Sequence, residues 1–178
     1  MSATDHFRLL ASYNEWMNCK LYAAVGSMPP EAISKNVGAF FGSLLGTLNH
    51  IVVADTLWLK RFALHPAGSE PLAPILPLPH PTSLDQIIFS DFIELRQHRV
   101  FLDSLIIRWA NSLTDDQLGI SLKYVNTGGV AFSKSFYSLV MHFFNHQTHH
   151  RGQATALLSQ AGIDIGSTDL NALIPNEL

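Results

Sequence analysis

The stretch Phe136-Tyr-Ser-Leu139-Val-Met-His142-Phe143-Phe-Asn-His146-Gln-Thr-His149-His150-Arg151-Gly-Gln153-Ala-Thr-Ala-Leu157 decides the reading of this chain. Phe136, Leu139, Phe143, His146, His150, Gln153 and Leu157 recur at alternating steps of three and four. That spacing puts them on one seam of an α-helix facing an apolar interior. His146 and His150 continue the apolar seam, and at i and i+4 their Cβ atoms lie about 5–6 Å apart. Burial penalises two charged imidazoles there. A divalent ion relieves the conflict by using the neutral ring lone pairs.

Three further amphipathic segments precede this one. In the first, Leu10, Tyr13, Met17, Leu21, Ala24 and Met28 form a stripe, with Thr4 or Asp5 as its cap and Pro29-Pro30 as its stop. The second runs from about Gly42 to Leu64 with Leu44, Leu48, Ile51, Asp55, Trp58 and Phe62 on one face. The third starts at Thr82 or Ser83 and carries Leu84, Ile88, Phe92, Leu95, Arg99, Leu102, Ile106, Trp109 and Leu113. Arg99 interrupts that stripe and must snorkel or find an acid. Between the second and third lies the Pro-rich run Pro66–Pro81, where Leu72, Ile75, Leu76 and Leu78 favour a packed crossover over a solvated linker. Before the last helix, Ile120–Val125 and Val130–Phe132 flank Asn126-Thr-Gly-Gly129, which reads as a short β-hairpin. The sequence thus predicts an all-α chain, a four-helix bundle with one long crossover and a hairpin before the last helix. It reads as one domain over 1–178.

Composition narrows the function. The net charge is −3, which argues against non-specific nucleic-acid binding. The longest uncharged stretch near the middle, Asn36–Ala54, contains too many polar and glycine residues for a membrane span. The start of the chain lacks a basic stretch followed by an apolar run, so the expected location is the cytoplasm. A single cysteine, Cys19, excludes a disulfide framework and reads as a small packing residue. Only 14% of residues are Asp, Glu, Lys or Arg, against roughly 25% in ordinary domains. So few charges leave a face available for an oligomer contact. Phe7, Trp16, Phe40, Phe41, Trp58 and Trp109 read mostly as core.

Against that charge-poor background stand nine histidines. The candidate third ligand is His50 on the second helix, with Thr47 and Ala54 leaving space beside it. His142 falls one position off the seam, and His149 points to another side of the helix. His6, His65 and His80 read as solvated, and His98 as a surface partner of Glu94. Three imidazoles with open positions form a catalytic rather than a structural arrangement. Nitrogen ligands suit Zn, Ni, Cu and Fe alike. Around the site, Gln153 is placed to hydrogen-bond a ligand histidine's second nitrogen or a metal-bound water. Arg151 either pairs with Asp55, which sits on the interior face of the second helix, or forms a salt bridge elsewhere or faces solvent.

Tyr13-Asn-Glu-Trp16-Met-Asn18, Leu48-Asn-His50-Ile-Val-Val-Ala-Asp55-Thr-Leu-Trp58 and Asn145-His146-Gln-Thr-His149-His150-Arg151-Gly-Gln153 occur in that order, with the hairpin before the last. With them the chain resembles the DinB superfamily of DinB/YfiT-like proteins across most of its length. The resemblance implies an up-down-down-up four-helix bundle, commonly a homodimer, with a three-histidine divalent metal site. Matched by position, His50, His146 and His150 are the implied ligands and nickel or zinc the usual occupant. Some members of that superfamily are thiol-dependent S-transferases using bacillithiol or mycothiol, or related isomerases; many have no established activity.

Three functions follow as expectations. The first is a metal-dependent enzyme holding a low-molecular-weight thiol as thiolate for attack on an electrophile, or, with hydroxide in the same place, a hydrolase. The second is a non-catalytic dimeric metal-binding or stress-response module. The third is a structural bundle with protonatable core histidines.

Overall fold

The computed structural model describes residues 2–176. Four long helices dominate: α1 (Ala3–Val25), α3 (Leu44–Phe62), α4 (Phe92–Ser112) and α6 (Phe136–Gln160). Two short ones, α2 (Pro30–Ser34) and α5 (Asp115–Leu118), lie in the connections. A two-stranded antiparallel hairpin, β1 (Ser121–Val125) and β2 (Ala131–Ser135), precedes α6, with Tyr124 opposite Phe132. α1 packs on α4 and α6, and α3 packs on the same two. Among the described residues no helix is long and apolar enough to cross a membrane.

Local chemistry explains the boundaries. Ser2 caps α1 and Asp5 completes a capping box, so the cap lies upstream of the expected Thr4 or Asp5. Pro29-Pro30 does end the first stripe, but Pro30 also opens α2, because its missing N–H is spare at a first helical position. Ser43 caps α3 through the Gly46 amide. Ser135 closes β2 and caps α6 through the Ser138 amide, leaving no loop between strand and helix.

The largest departure from expectation concerns the third segment. α4 begins at Phe92 behind the Asp91 cap, not at Thr82 or Ser83. Residues 82–91 are non-helical, and Leu84 and Ile88 are exposed. The buried Asn49 side chain accounts for this. Its Oδ1 accepts from the Ile88 and Phe89 amides, each at 2.9 Å, and its Nδ2 donates to the Phe89 carbonyl at 2.9 Å. Backbone groups that a helix would have used are taken by α3. From Leu95 onward the predicted stripe holds, with Leu95, Leu102, Ile106 and Trp109 buried. In the crossover Leu72 and Ile75 are buried and Leu78 is partly so, whereas Leu76 is exposed.

The core joins all four long helices in one apolar cluster. At its lower end Phe62 meets Trp109, Phe136 and Phe143 at ring-centroid distances of 5.2, 5.3 and 5.7 Å. Such aromatic contacts add about 0.5–1.5 kcal/mol each beyond burial. Three residues depart from their sequence reading here. His65 is buried, stacked on Phe136 at 3.8 Å with Nε2 on the Ile120 carbonyl. Cys19 is exposed rather than packed, and so is Phe40.

A polar layer crosses this core. Arg99 meets Asp55 and, at 3.0 Å, Asp103, resolving the interruption in the α4 stripe. Asp103 also accepts from Asn14 and Asn18 of α1, and Asp55 accepts from Gln147 of α6 at 2.8 Å. Arg151 is buried too, hydrogen-bonded to Asn14 and lying over the Tyr13 ring. Asp55, Asp103, Arg99 and Arg151 balance in charge, which is the condition for burying ions at tolerable cost.

Candidate metal centre

α3 supplies His50, and two successive turns of α6 supply His146 and His150. One ring nitrogen of each lies within 4.8 Å of the others. Ring centroids are 5.3 Å apart for His50 and His146, and 4.3 Å for each of the other two pairs. Helix geometry places the α6 pair, and the packing of α3 on α6 brings His50 to them.

Each outer nitrogen shows which way the rings are set. His50 Nδ1 lies 2.8 Å from the Leu84 carbonyl, and His150 Nδ1 lies 2.8 Å from Gln153 Oε1. Both oxygens only accept, so both Nδ1 atoms carry hydrogen and both Nε2 atoms present lone pairs. Those two Nε2 atoms are 3.1 Å apart. Two lone pairs at that distance repel unless a cation lies between them. Nitrogens at about 2.0–2.1 Å from one zinc are about 3.3 Å apart in tetrahedral geometry, so this spacing suits a shared ion. The donor set therefore fits a divalent metal of the imidazole-preferring kind.

Electrostatics act in the same direction. Burial, with His150 and His50 adding to it, pushes His146 down to about 3. Burial also lowers the pKa of His50 and of His150. All three rings are thus neutral near pH 7 and available as ligands. Phe41 stacks on the His50 ring at 3.9 Å and covers one side of the cluster. Gly46 makes that possible: a Cβ there would fall 2.1 Å from the Phe41 carbonyl oxygen.

His142 and His149 border the cluster without belonging to it. His142 is exposed and edge-on to Trp58, and His149 is exposed with Nε2 near Gln153 Nε2. His98 packs between Phe89 and Phe101 rather than pairing with Glu94, and burial drives it down to about 4. Gln153 touches His150 directly. Arg151 and Asp55 form no ion pair, because Asp55 is taken by Arg99 and Gln147; Gln147 links the two. Sequence reasoning missed Asn49, Phe41 and the Leu84 carbonyl. The carbonyl leaves no residue-type signal, and Phe41 resembles any core aromatic.

Beside His50 and His146 lies a cavity of about 350 Å³, lined also by Trp58, Tyr124 and Phe132. Helices enclosing a three-histidine cluster with an open side define a class, the helical proteins built around a candidate metal centre. The chain belongs to the DinB family, whose model matches residues 1–176. It is similar to "Protein DinB" of Bacillus subtilis (strain 168), 27% identical over 160 residues that cover 90% of this chain and 88% of that one. No solved structure matches significantly.

Proposed function

We propose that His50, His146 and His150 bind one divalent cation, nickel or zinc, and that the bound ion serves a thiol-dependent S-transfer. The observation that carries the reading is the pair of Nε2 lone pairs facing each other at 3.1 Å. A metal held there supplies positive charge that keeps a thiol as thiolate. His50 and His150 are oriented for it by Leu84 and Gln153, Phe41 keeps water from one side, and the open cavity admits an electrophile. Asp55 and Arg151 act more remotely, through the polar layer that holds α3 and α6 in register. Hydrolysis at the same centre is the alternative chemistry. In this reading the chain is one domain whose four long helices run up-down-down-up. It works in the cytoplasm, where small thiols stay reduced, and pairs as a homodimer.

The test uses protein purified without a histidine tag. Elemental analysis should find about one equivalent of nickel or zinc per chain, and His146→Ala should lose it, since three ligands are the usual protein share of an open site. A panel of low-molecular-weight thiols with a chromogenic electrophile should show turnover. That turnover should fall by about 100-fold or more in His50→Ala and His150→Ala. Metal-free wild-type protein that also ignores added zinc and nickel would sink the metal reading. Turnover untouched by either substitution would sink the thiolate reading alone.

A further inference from the structure

The cavity beside the histidines continues into a second one of about 530 Å³; Arg61, Tyr124, Asn126 and Thr127 line both. Together they form a groove running away from His50 and His146 along α3 and the hairpin. The charge of its walls is one-sided. Lys60, Arg61, Lys123 and Lys134 line it, and no Asp or Glu does. The chain as a whole is net negative at −3, so this is a local reversal of sign. Among the described residues the ion pairs involve Arg8 and Arg99 alone, so none of the four groove cations has a carboxylate partner.

Lys60 donates to the Leu76 carbonyl at 2.8 Å, whereas Arg61 is held by aromatic faces alone. Its guanidinium lies 4.7 Å from the Trp58 ring and 5.1 Å from the Tyr124 ring. Contact with two aromatic faces fixes the plane of the fork while leaving its N–H edge free for an acceptor. Lys134 is similarly laid over Phe132 at 4.7 Å. A guanidinium positioned in this way, half-buried and without an acceptor of its own, binds a planar carboxylate through two parallel hydrogen bonds. Low-dielectric walls of one sign also concentrate anions in the groove. Arg61 follows His50 by eleven positions on α3, which at 1.5 Å per residue is about 16 Å of helix. The guanidinium leans back over Trp58 toward the triad, so a molecule reaching both need only span the cavity that His50 and Arg61 share.

We infer that the groove binds a small molecule whose carboxylate is received by Arg61, away from the histidine triad, while Lys134, which lines the cavity beside the histidines, adds positive charge along its path. The assignment rests on the reading of the triad as the reactive end. It gives that reading a substrate class, an anionic thiol or thioether conjugate.

S-methylglutathione and its diethyl ester are suitable probes, because they share length and lack a free thiol to engage the metal. Calorimetric titration should give binding of the diacid that is about tenfold or more tighter than that of the diester. Arg61→Gln should abolish that preference, Arg61→Lys should restore part of it, and Lys134→Gln, on an exposed strand, should weaken it. His146→Ala should retain it, which separates this inference from the metal reading. Equal binding of diacid and diester, no binding of the diacid at millimolar concentration, or indifference to both Arg61→Gln and Lys134→Gln would each overturn the proposal.

Discussion

At the scale of single residues, the site depends on what holds the rings as much as on the rings. Gln153 Oε1 fixes the His150 tautomer, and the Leu84 carbonyl fixes that of His50. Outer partners of this kind are typically worth about 10–100-fold in metal affinity. Gln153→Leu should therefore weaken zinc or nickel binding by about that factor while leaving the fold intact. Competition with a chromophoric chelator measures it, and an unchanged affinity would show that the 2.8 Å contact does not orient the ring. Gln153 was legible from the sequence, because helical spacing alone puts it one turn beyond His150. Leu84 was not, because a backbone carbonyl is carried by every residue and only the path of the chain aims one at His50.

At the scale of elements, α6 is readable from its own pattern and the segment before α4 is not. The seam from Phe136 to Leu157 predicted a helix, and Phe136–Gln160 is one. The periodic apolar residues at 84 and 88 predicted helix too, but Asn49 captures the Ile88 and Phe89 amides into α3's surroundings. Tertiary hydrogen bonds here outweigh a weak local preference. Asn49 thus anchors the strand of chain that carries the Leu84 carbonyl. Asn49→Leu should destabilise the protein by about 1–3 kcal/mol, the cost of stranding buried polar groups. It should also speed exchange of the Ile88 and Phe89 amides in hydrogen-exchange measurements and lower metal affinity. Unchanged exchange at those two amides would refute the anchoring role.

At the scale of the molecule, two features govern behaviour. The first is the charge-balanced layer of Asp55, Asp103, Arg99 and Arg151, which ties α1, α3, α4 and α6 together. Breaking a buried pair by removing one partner costs about 3–5 kcal/mol, whereas replacing the pair with apolar groups is often neutral. Asp55→Ala should lower the unfolding free energy from urea titration by an amount in that range, with a lower midpoint, and Asp55→Leu combined with Arg99→Met should recover much of the loss. An undiminished midpoint in Asp55→Ala would show the pair to be energetically idle. The second is the exposed apolar surface, including Val37, Phe40, Ile93 and Val100. If the chain pairs with itself, light scattering should return twice the 19.7 kDa chain mass, and a monomer at micromolar concentration would contradict the homodimer.

The sequence by itself determined the helical class, the hairpin and the three histidines. Periodicity is a property of each segment alone, and the α6 pair is set by helix geometry without any partner. Only the tertiary structure decided where α4 begins, that Arg99 rather than Arg151 pairs with Asp55, and that His65 is buried. It also decided that four cations from α3 and the hairpin line one groove. These outcomes depend on groups far apart in the chain meeting in space, and a hydrogen bond or ion pair between such groups leaves no local pattern.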